Sequence, residues 1–333
     1  MRSHLHRTLL RLAGWLPDDL LADARARLVD DQFAEIARML AFAGQRTVLP
    51  LTAADLTLLA DLLVEHPDVL DRLELVVPDT PPTWQFVETP PETGGDHDGQ
   101  PPTVDDLVAA VSDEPAARGA WLAWRLPGNG SPYPPPTAVH IVEADDGDLA
   151  ALTGRLQRRL ATARGGVPLI EVVAVGEEPP AYQAMARECG TLLWARAPER
   201  DIAVARVFDT VDPHTGPGFA PDHPRLTDER ERDRILHYLD SGTVLLATTS
   251  TLTDSLDPTR GAVVPMSFRT DGAWIWTDTI AYYLREHQLA PEPQLLRHIQ
   301  EADGPPPDLD AVTVHRAMRV LTQPSDTDPV RSG

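Results

Sequence analysis

The sequence predicts a mixed fold: an N-terminal helical bundle, a central α/β body with a βαβ-containing sheet, and a C-terminal α+β body with a hairpin and helices. Three observations carry that expectation. Apolar residues recur at helical spacing through residues 1–77. An apolar strand, an amphipathic helix and a second apolar strand follow one another across residues 137–175, the order of a right-handed parallel βαβ unit. Asp271-Gly272 stands between the strand-like stretch 262–268 and Trp274-Ile275-Trp276, a hairpin signal.

Within residues 1–77, Leu5, Leu9, Leu12 and Leu16 form one stripe, Leu20, Leu21, Ala24 and Leu28 a second, and Phe33, Ile36, Ala37 and Leu40 a third. Pro17 stands where a first-turn proline is tolerated, and Asp18 and Asp19 follow it near the positive end of the helix dipole. Thr52 is an N-cap for a helix over 53–65, with Asp55 completing a capping box. His66-Pro67 ends that helix. The stripes lack heptad regularity, which favours a compact bundle over a coiled coil.

Residues 78–117 read as an acidic, proline-rich linker. Asp79, Glu88, Glu92, Asp96, Asp98, Asp105, Asp106, Asp113 and Glu114 face no arginine there, and the centre near 90–102 is expected to be mobile. A short strand over 84–87 precedes that centre and a short helix over 104–111 follows it. Residues 118–210 form the α/β body, with strands over 120–126, 137–143 and 169–175. Between the last two lies a helix over 148–164, with Leu149, Leu152, Leu156 and Leu160 on one face and Arg155, Arg158 and Arg159 off it. A helix over 179–189 and strands over 191–196 and 202–208 complete it. Residues 211–323 form the α+β body: a loop over 211–225, a helix over 228–239, strands over 243–251 and 262–268, the hairpin, and helices over 279–287, 292–301 and 308–321. Residues 324–333 are a tail.

Composition excludes several chemistries. All 29 basic residues are arginine, because the chain has no lysine. Walker-type phosphate loops, Schiff-base enzymes, Ser–Lys dyads and the protein kinase site all need an amine. The one cysteine, Cys189, rules out intrachain disulfides and multi-thiolate zinc; with no base near it in sequence, it is expected to be a buried, inert thiol. Acids number 51, for a net charge of −22. Such a chain is repelled by nucleic acid and anionic lipid and drawn to basic partners. No run approaches the roughly 18–20 apolar residues of a bilayer span, and Arg7 and Arg11 interrupt the N-terminal leucines. A cytoplasmic location, with neither membrane nor nucleic acid as partner, is expected.

The phrases VHIVEADDGDLAALTGRLQRRLA, PAYQAMARECGTLLWA and VVPMSFRTDGAWIWTDTIAYYLREH are similar to those of uncharacterised actinobacterial proteins, over about residues 118–290. The last phrase also resembles C-terminal pieces of proteins encoded near bacterial toxin systems. The resemblance implies no catalytic residue.

Three constellations could carry chemistry. Asp209, Asp212, His214, Asp222 and His223 gather imidazole and carboxylate in one loop, ligands suited to zinc, manganese or iron. Their spacing matches no metal signature, and a solvated turn-rich loop is the favoured reading. Asp145 and Asp146, with Gly147 and Asp148, follow an apolar strand and open a helix. Acids there sit where open α/β sheets bind ligands, or simply cap the helix. Arg260, Arg269 and Asp271 flank the hairpin beside Trp274 and Trp276, which share one strand face. An exposed face would make an interaction hot spot, a buried one a core. His4-x-His6 on a helix points its members to different faces, a poor chelate.

No cofactor is called for by these residues. The favoured expectation is a non-enzymatic protein-binding module (adaptor, inhibitor or immunity-like) docking a basic protein partner. The alternatives are an enzyme or small-molecule binder, with a pocket at the strand ends of the central sheet or a metal site in loop 209–223, and a scaffold.

Overall fold

The computed structural model describes residues 1–64, 83–91, 102–131, 133–164, 168–212, 214 and 216–322. His66-Pro67, most of the linker centre and the tail lie outside them. Two compact units, Met1–Pro198 and Glu199–Gly333, divide the chain. The boundaries expected at 77 and 210 do not coincide with that division. Among the described residues, no helix is long and apolar enough to cross a membrane.

The first unit runs α1 (Arg2–Arg11), α2 (Asp18–Val29), α3 (Phe33–Gly44), α4 (Ala53–Leu62), β1 (Trp84–Val87), α5 (Val104–Ser112), β2 (Ala117–Pro127), β3 (Thr137–Ala144), α6 (Leu149–Arg164), β4 (Leu169–Ala174), α7 (Ala181–Cys189) and β5 (Thr191–Ala195). Capping boxes start α4 and α5: Thr52 with Asp55, and Thr103 with Asp106. In each the threonine side chain takes the third residue's N–H and the aspartate returns to the cap's N–H, satisfying two donors the helix leaves orphaned.

β2 runs through the middle of the sheet. β3 lies antiparallel along one edge of it, and β5 and then β1 share the other. β4 extends the sheet parallel to β3, from Val139↔Leu169 to Ala144↔Ala174, so the expected βαβ unit is present. Leu152, Leu156 and Leu160 of α6 pack with Leu107, Ala110 and Val111 of α5 over Val142, Ala144, Ile170 and Val172. Each buried leucine contributes roughly 1.5–3 kcal/mol. Alternation turns Glu143 and Glu171 to the other face, where α7 meets them: Arg187 Nη1 lies 3.1 Å from Glu143 Oε1, and Gln183 Nε2 2.8 Å from Glu171 Oε2.

β4 is an edge strand, and its outward carbonyls need donors. The N-terminal helices supply them. His6 Nε2 of α1 donates to Val172 O at 3.0 Å, and Arg25 Nη1 of α2 to Ile170 O at 3.1 Å. The helices over 1–64 therefore belong with the sheet rather than to a separate bundle. α2 also packs closely on α6: a Cβ at Gly154 would lie 2.1 Å from Val29 Cγ2.

The second unit runs β6 (Ala203–Val204), β7 (Thr210–Asp212), β8 (Gly216–Gly218), α8 (Glu229–Ser241), β9 (Thr243–Leu246), β10 (Thr251–Thr253), β11 (Ala262–Pro265), β12 (Phe268–Thr270), β13 (Trp274–Thr277), α9 (Asp278–His287), α10 (Pro293–Glu301) and α11 (Ala311–Thr322). Its four-stranded sheet has the order β6-β13-β12-β9, with β6 parallel to β13. The expected hairpin turns at Asp271-Gly272, where Gly272 has φ +88°.

The strands expected over 243–251 and 262–268 each break in two. Ser250 N–H bonds Thr248 Oγ1 at 3.0 Å, a local turn that competes with the ladder. Pro265, lacking an N–H, ends β11 before β12 begins. β10 and β11 pair with each other instead of joining the larger sheet. The expected strand over 202–208 is confined to Ala203 and Val204, the residues that pair with β13.

Candidate functional site

In the first unit, β3 leads into α6 on one face of the sheet, and β4 leads into α7 on the other. Adjacent parallel strands whose connections part to opposite faces leave a crevice outside their carboxyl ends, the position where open α/β sheets hold ligands. A cavity of about 390 Å³ opens there. The segment Asp146–Ala150 after β3 lines it, as do Val173, Ala174 and the stretch 177–180 after β4, and α1 closes it with Ser3, His6, Arg7, Leu10 and Arg11.

His6 is 3% exposed. Its Nε2 donates to a backbone carbonyl, so the neutral ring carries its lone pair on Nδ1. Burial pushes its pKa down to about 4, against the Val172 hydrogen bond that favours protonation. His6 Nδ1 has no hydrogen-bond partner among the described residues. A buried acceptor without a donor costs about 1–3 kcal/mol.

The charged groups around the cavity divide into engaged and free. Arg11 Nη2 grips Asp55 at 2.6 and 2.7 Å. Burial opposes ionisation of Asp55, yet hydrogen bonds from Thr8, Thr52 and Arg11 hold its pKa well below the usual carboxylate range. Asp148 caps α6 by accepting from Ala151 N–H at 2.9 Å, and its other oxygen takes Arg2 Nη1 at 2.6 Å. Asp146 accepts only from the neighbouring Gly147 N–H, at 3.2 Å. Glu177 and Glu178 are exposed, and neither has a cationic partner among the described residues; the exposed Arg7 has no anionic one. Leu10, Leu149, Ala150, Val173 and Ala174 supply apolar walls.

Asp145 and Asp146, paired by their place in the sequence, separate in space. Asp145 turns to Arg118, whose Nε reaches it at 2.7 Å in a two-point ion pair. Only Asp146 lines the cavity.

The second unit brings its expected groups together differently. Asp209 Oδ2 accepts from Ala220 N–H at 2.8 Å and lies 2.8 Å from His223 Nδ1, while His223 Nε2 lies 2.9 Å from Ala290 O. Both ring nitrogens of His223 thus face oxygen atoms of the protein rather than an open position for a metal. Asp212 accepts from His214 N–H at 2.8 Å, a local turn, and Asp222 is exposed. The five residues do not converge, and among the described residues no group of three or more His, Cys, Asp or Glu is placed to hold a metal ion.

The hairpin residues are engaged internally. Arg260 pairs with Glu286 at 2.8 Å. Arg269 pairs with Asp278 at 2.7 Å and donates to the carbonyls of Asp240 and Gly242. Asp271 Oδ1 takes the N–H groups of Ala273 and Trp274; its Oδ2 takes Tyr238 Oη at 2.7 Å and His298 Nε2 at 2.6 Å. Trp276 is fully buried with Ile235, Leu239 and Leu284, and Trp274, half-buried, packs on the same cluster. The two tryptophans are core, not a free hot spot. Cys189, expected to be buried, is exposed.

Sequence reasoning missed His6, Arg7, Glu177 and Glu178. The available signal was the second strand end: Glu177, Glu178, Pro179 and Pro180 follow apolar β4 just as Asp145–Asp148 follow β3. It also missed the buried Asp254, closed by Tyr282 Oη at 3.0 Å, His287 Nε2 at 2.7 Å and two backbone N–H groups.

Comparison with known proteins finds no counterpart: no family model, no curated protein and no solved structure matches this chain.

Proposed function

We propose that the unit Met1–Pro198 is a binding module that takes a small organic molecule at the carboxyl ends of β3 and β4. The observation that carries this is the cavity itself, of about 390 Å³, at the point where the connections of two parallel strands part to opposite faces. Its size lies within the roughly 300–1,000 Å³ of ordinary ligand pockets, and its apolar walls with a few polar groups fit their usual lining.

The test is thermal unfolding of the whole chain with a panel of fragments, beside variants that fill the cavity, Ala150→Trp and Ala174→Leu. A ligand that binds only the native state raises the melting temperature saturably. Stabilisation of the parent chain that both filled variants lose supports the assignment. No stabilisation by any fragment, or the same stabilisation of the filled variants, contradicts it.

Charge favours a second function, docking onto a basic protein partner in the cytoplasm in an adaptor, inhibitor or immunity-like role. Arg2, Arg11, Arg25, Arg118, Arg125 and Arg155 are each held by carboxylates within the first unit. With 51 acids against 29 arginines, the net −22 is carboxylate in excess of every arginine that could pair with it. Complementary charge speeds such encounters and rejects wrong partners. A purified basic partner should bind tightly at low salt and weaken strongly as the Debye length falls from about 30 Å to about 3 Å. Binding indifferent to salt removes the electrostatic basis of this function.

A further inference from the structure

We propose that the outer edge of β9 in the second unit is a self-association surface: a second copy of this chain adds its own β9 there, antiparallel across a two-fold axis, and joins the two four-stranded sheets into one.

β9 ends the sheet order β6-β13-β12-β9 and pairs, among the described residues, with β12 alone. Its other side is an edge of backbone N–H and C=O groups, a template on which a further strand adds. The side chains along it are apolar and in water. Val244 is 47% exposed and Leu246 46%, on either side of Leu245, which is buried with Ile275 and Ala317. Folds guard such edges with short strands, bulges, charge or proline. β9 is short, and its register against β12 passes over Leu245, but charge and proline are missing. The thirteen residues from Ser241 to Thr253 include neither, where a chain that is 24% charged would place about three charges.

Charge selects the occupant. A basic partner, which the net −22 attracts elsewhere, gains nothing from an uncharged strip. Two copies of the chain repel each other over their acidic surfaces, and a neutral strip is where they approach at least cost. An antiparallel edge is also its own complement, because a two-fold axis brings the N–H groups of each strand to the C=O groups of the other. Val244 and Leu246 of both copies then leave water together. Four residues a side make a small seam, which places the pair among transient dimers. The opposing terms fix the salt dependence. Salt screens the repulsion between the acidic bodies and spares the apolar seam, so association strengthens with salt, the reverse of docking onto a basic protein.

The experiment is analytical sedimentation of the full chain from about 1 µM to about 1 mM, at about 0.01 M and about 1 M salt. The parent chain should pass from monomer to dimer, with a dissociation constant several-fold lower at the higher salt. Val244→Lys/Leu246→Lys and Val244→Glu/Leu246→Glu should each stay monomeric, with melting temperatures unchanged because both side chains already stand in water. Mixed in equal amounts, the two double variants should form a heterodimer, most strongly at low salt. If either variant melts early, Val244→Thr/Leu246→Thr, neutral and strand-forming, takes its place and should weaken the parent dimer about tenfold or more. A parent chain that stays monomeric overturns the proposal, as does a dimer that weakens with salt or survives these substitutions. A mixture of the lysine and glutamate variants that stays monomeric overturns the pairing of β9 with its own copy.

Discussion

The two units differ in where they leave buried polar atoms without a partner: Thr277 Oγ1 is one in the second, His6 Nδ1 one in the first. In the second, each buried carboxylate is closed. Asp271 receives Tyr238, His298 and two backbone N–H groups, and Asp254 receives Tyr282, His287 and two more. In the first, Glu171 is closed by Arg25 and Gln183, but His6 keeps a buried acceptor with no hydrogen-bond partner. The second unit carries more of the histidine and aspartate that suggested chemistry, yet those groups satisfy one another. A cavity at a strand end is the better guide to a site than a count of reactive residue types.

Acid should separate the units most strongly. Burial holds His6 and His140 at pKa values of about 4, whereas the unfolded chain takes up those protons near 6.5. The stability of the first unit is therefore full above about pH 6.5 and falls as the pH drops toward 4, by roughly 3 kcal/mol for each histidine. In the second unit, burial opposes ionisation of Asp254, but hydrogen bonds from His287, two backbone N–H groups and Tyr282 hold its pKa below the usual range. Its contribution is lost only as the pH falls below about 4. Hydrogen exchange resolved by unit, at pH 7 and pH 4.5, should show the first unit opening while the second stays protected; simultaneous opening erases the contrast.

Next in size is the Arg25–Glu171 pair. Glu171→Leu leaves a buried guanidinium without its counterion and should cost about 3–5 kcal/mol in denaturant unfolding. Asp271→Asn in the second unit keeps one oxygen for the turn and should cost less, about 1–3 kcal/mol. The reverse order would show that the closed network of the second unit, not the ion pair of the first, is the tighter constraint.

The smallest effects test close packing. A Cβ at Gly154 would meet Val29 at 2.1 Å, and one at Gly242 would meet Trp276 Cζ2 at 2.4 Å. Gly154→Ala should lower stability by about 1–3 kcal/mol through overpacking, despite alanine's better helix propensity. Gly242→Ala should do the same in the second unit. A gain at residue 154 would mean that α2 yields to α6.

Local signals in the sequence read well. The Thr52/Asp55 capping box, the βαβ order and the Asp271-Gly272 turn all depend on residues within a short stretch, and all are present. The attachment of the N-terminal helices is not legible there. It rests on His6 reaching Val172 and Arg25 reaching Ile170, contacts 166 and 145 residues apart in the chain. The site is half legible for the same reason. Asp146 can be found because a strand end marks it. His6 reads in sequence only as half of a poor chelate, because its partner is a carbonyl of a distant edge strand and periodicity carries no trace of that.

The most direct test of the buried, unpaired acceptor is the imidazole nitrogen resonances of His6, followed in the whole chain at neutral pH. The account predicts a neutral ring with its proton on Nε2 and a bare Nδ1. A proton on Nδ1, or a charged ring at neutral pH, would contradict it.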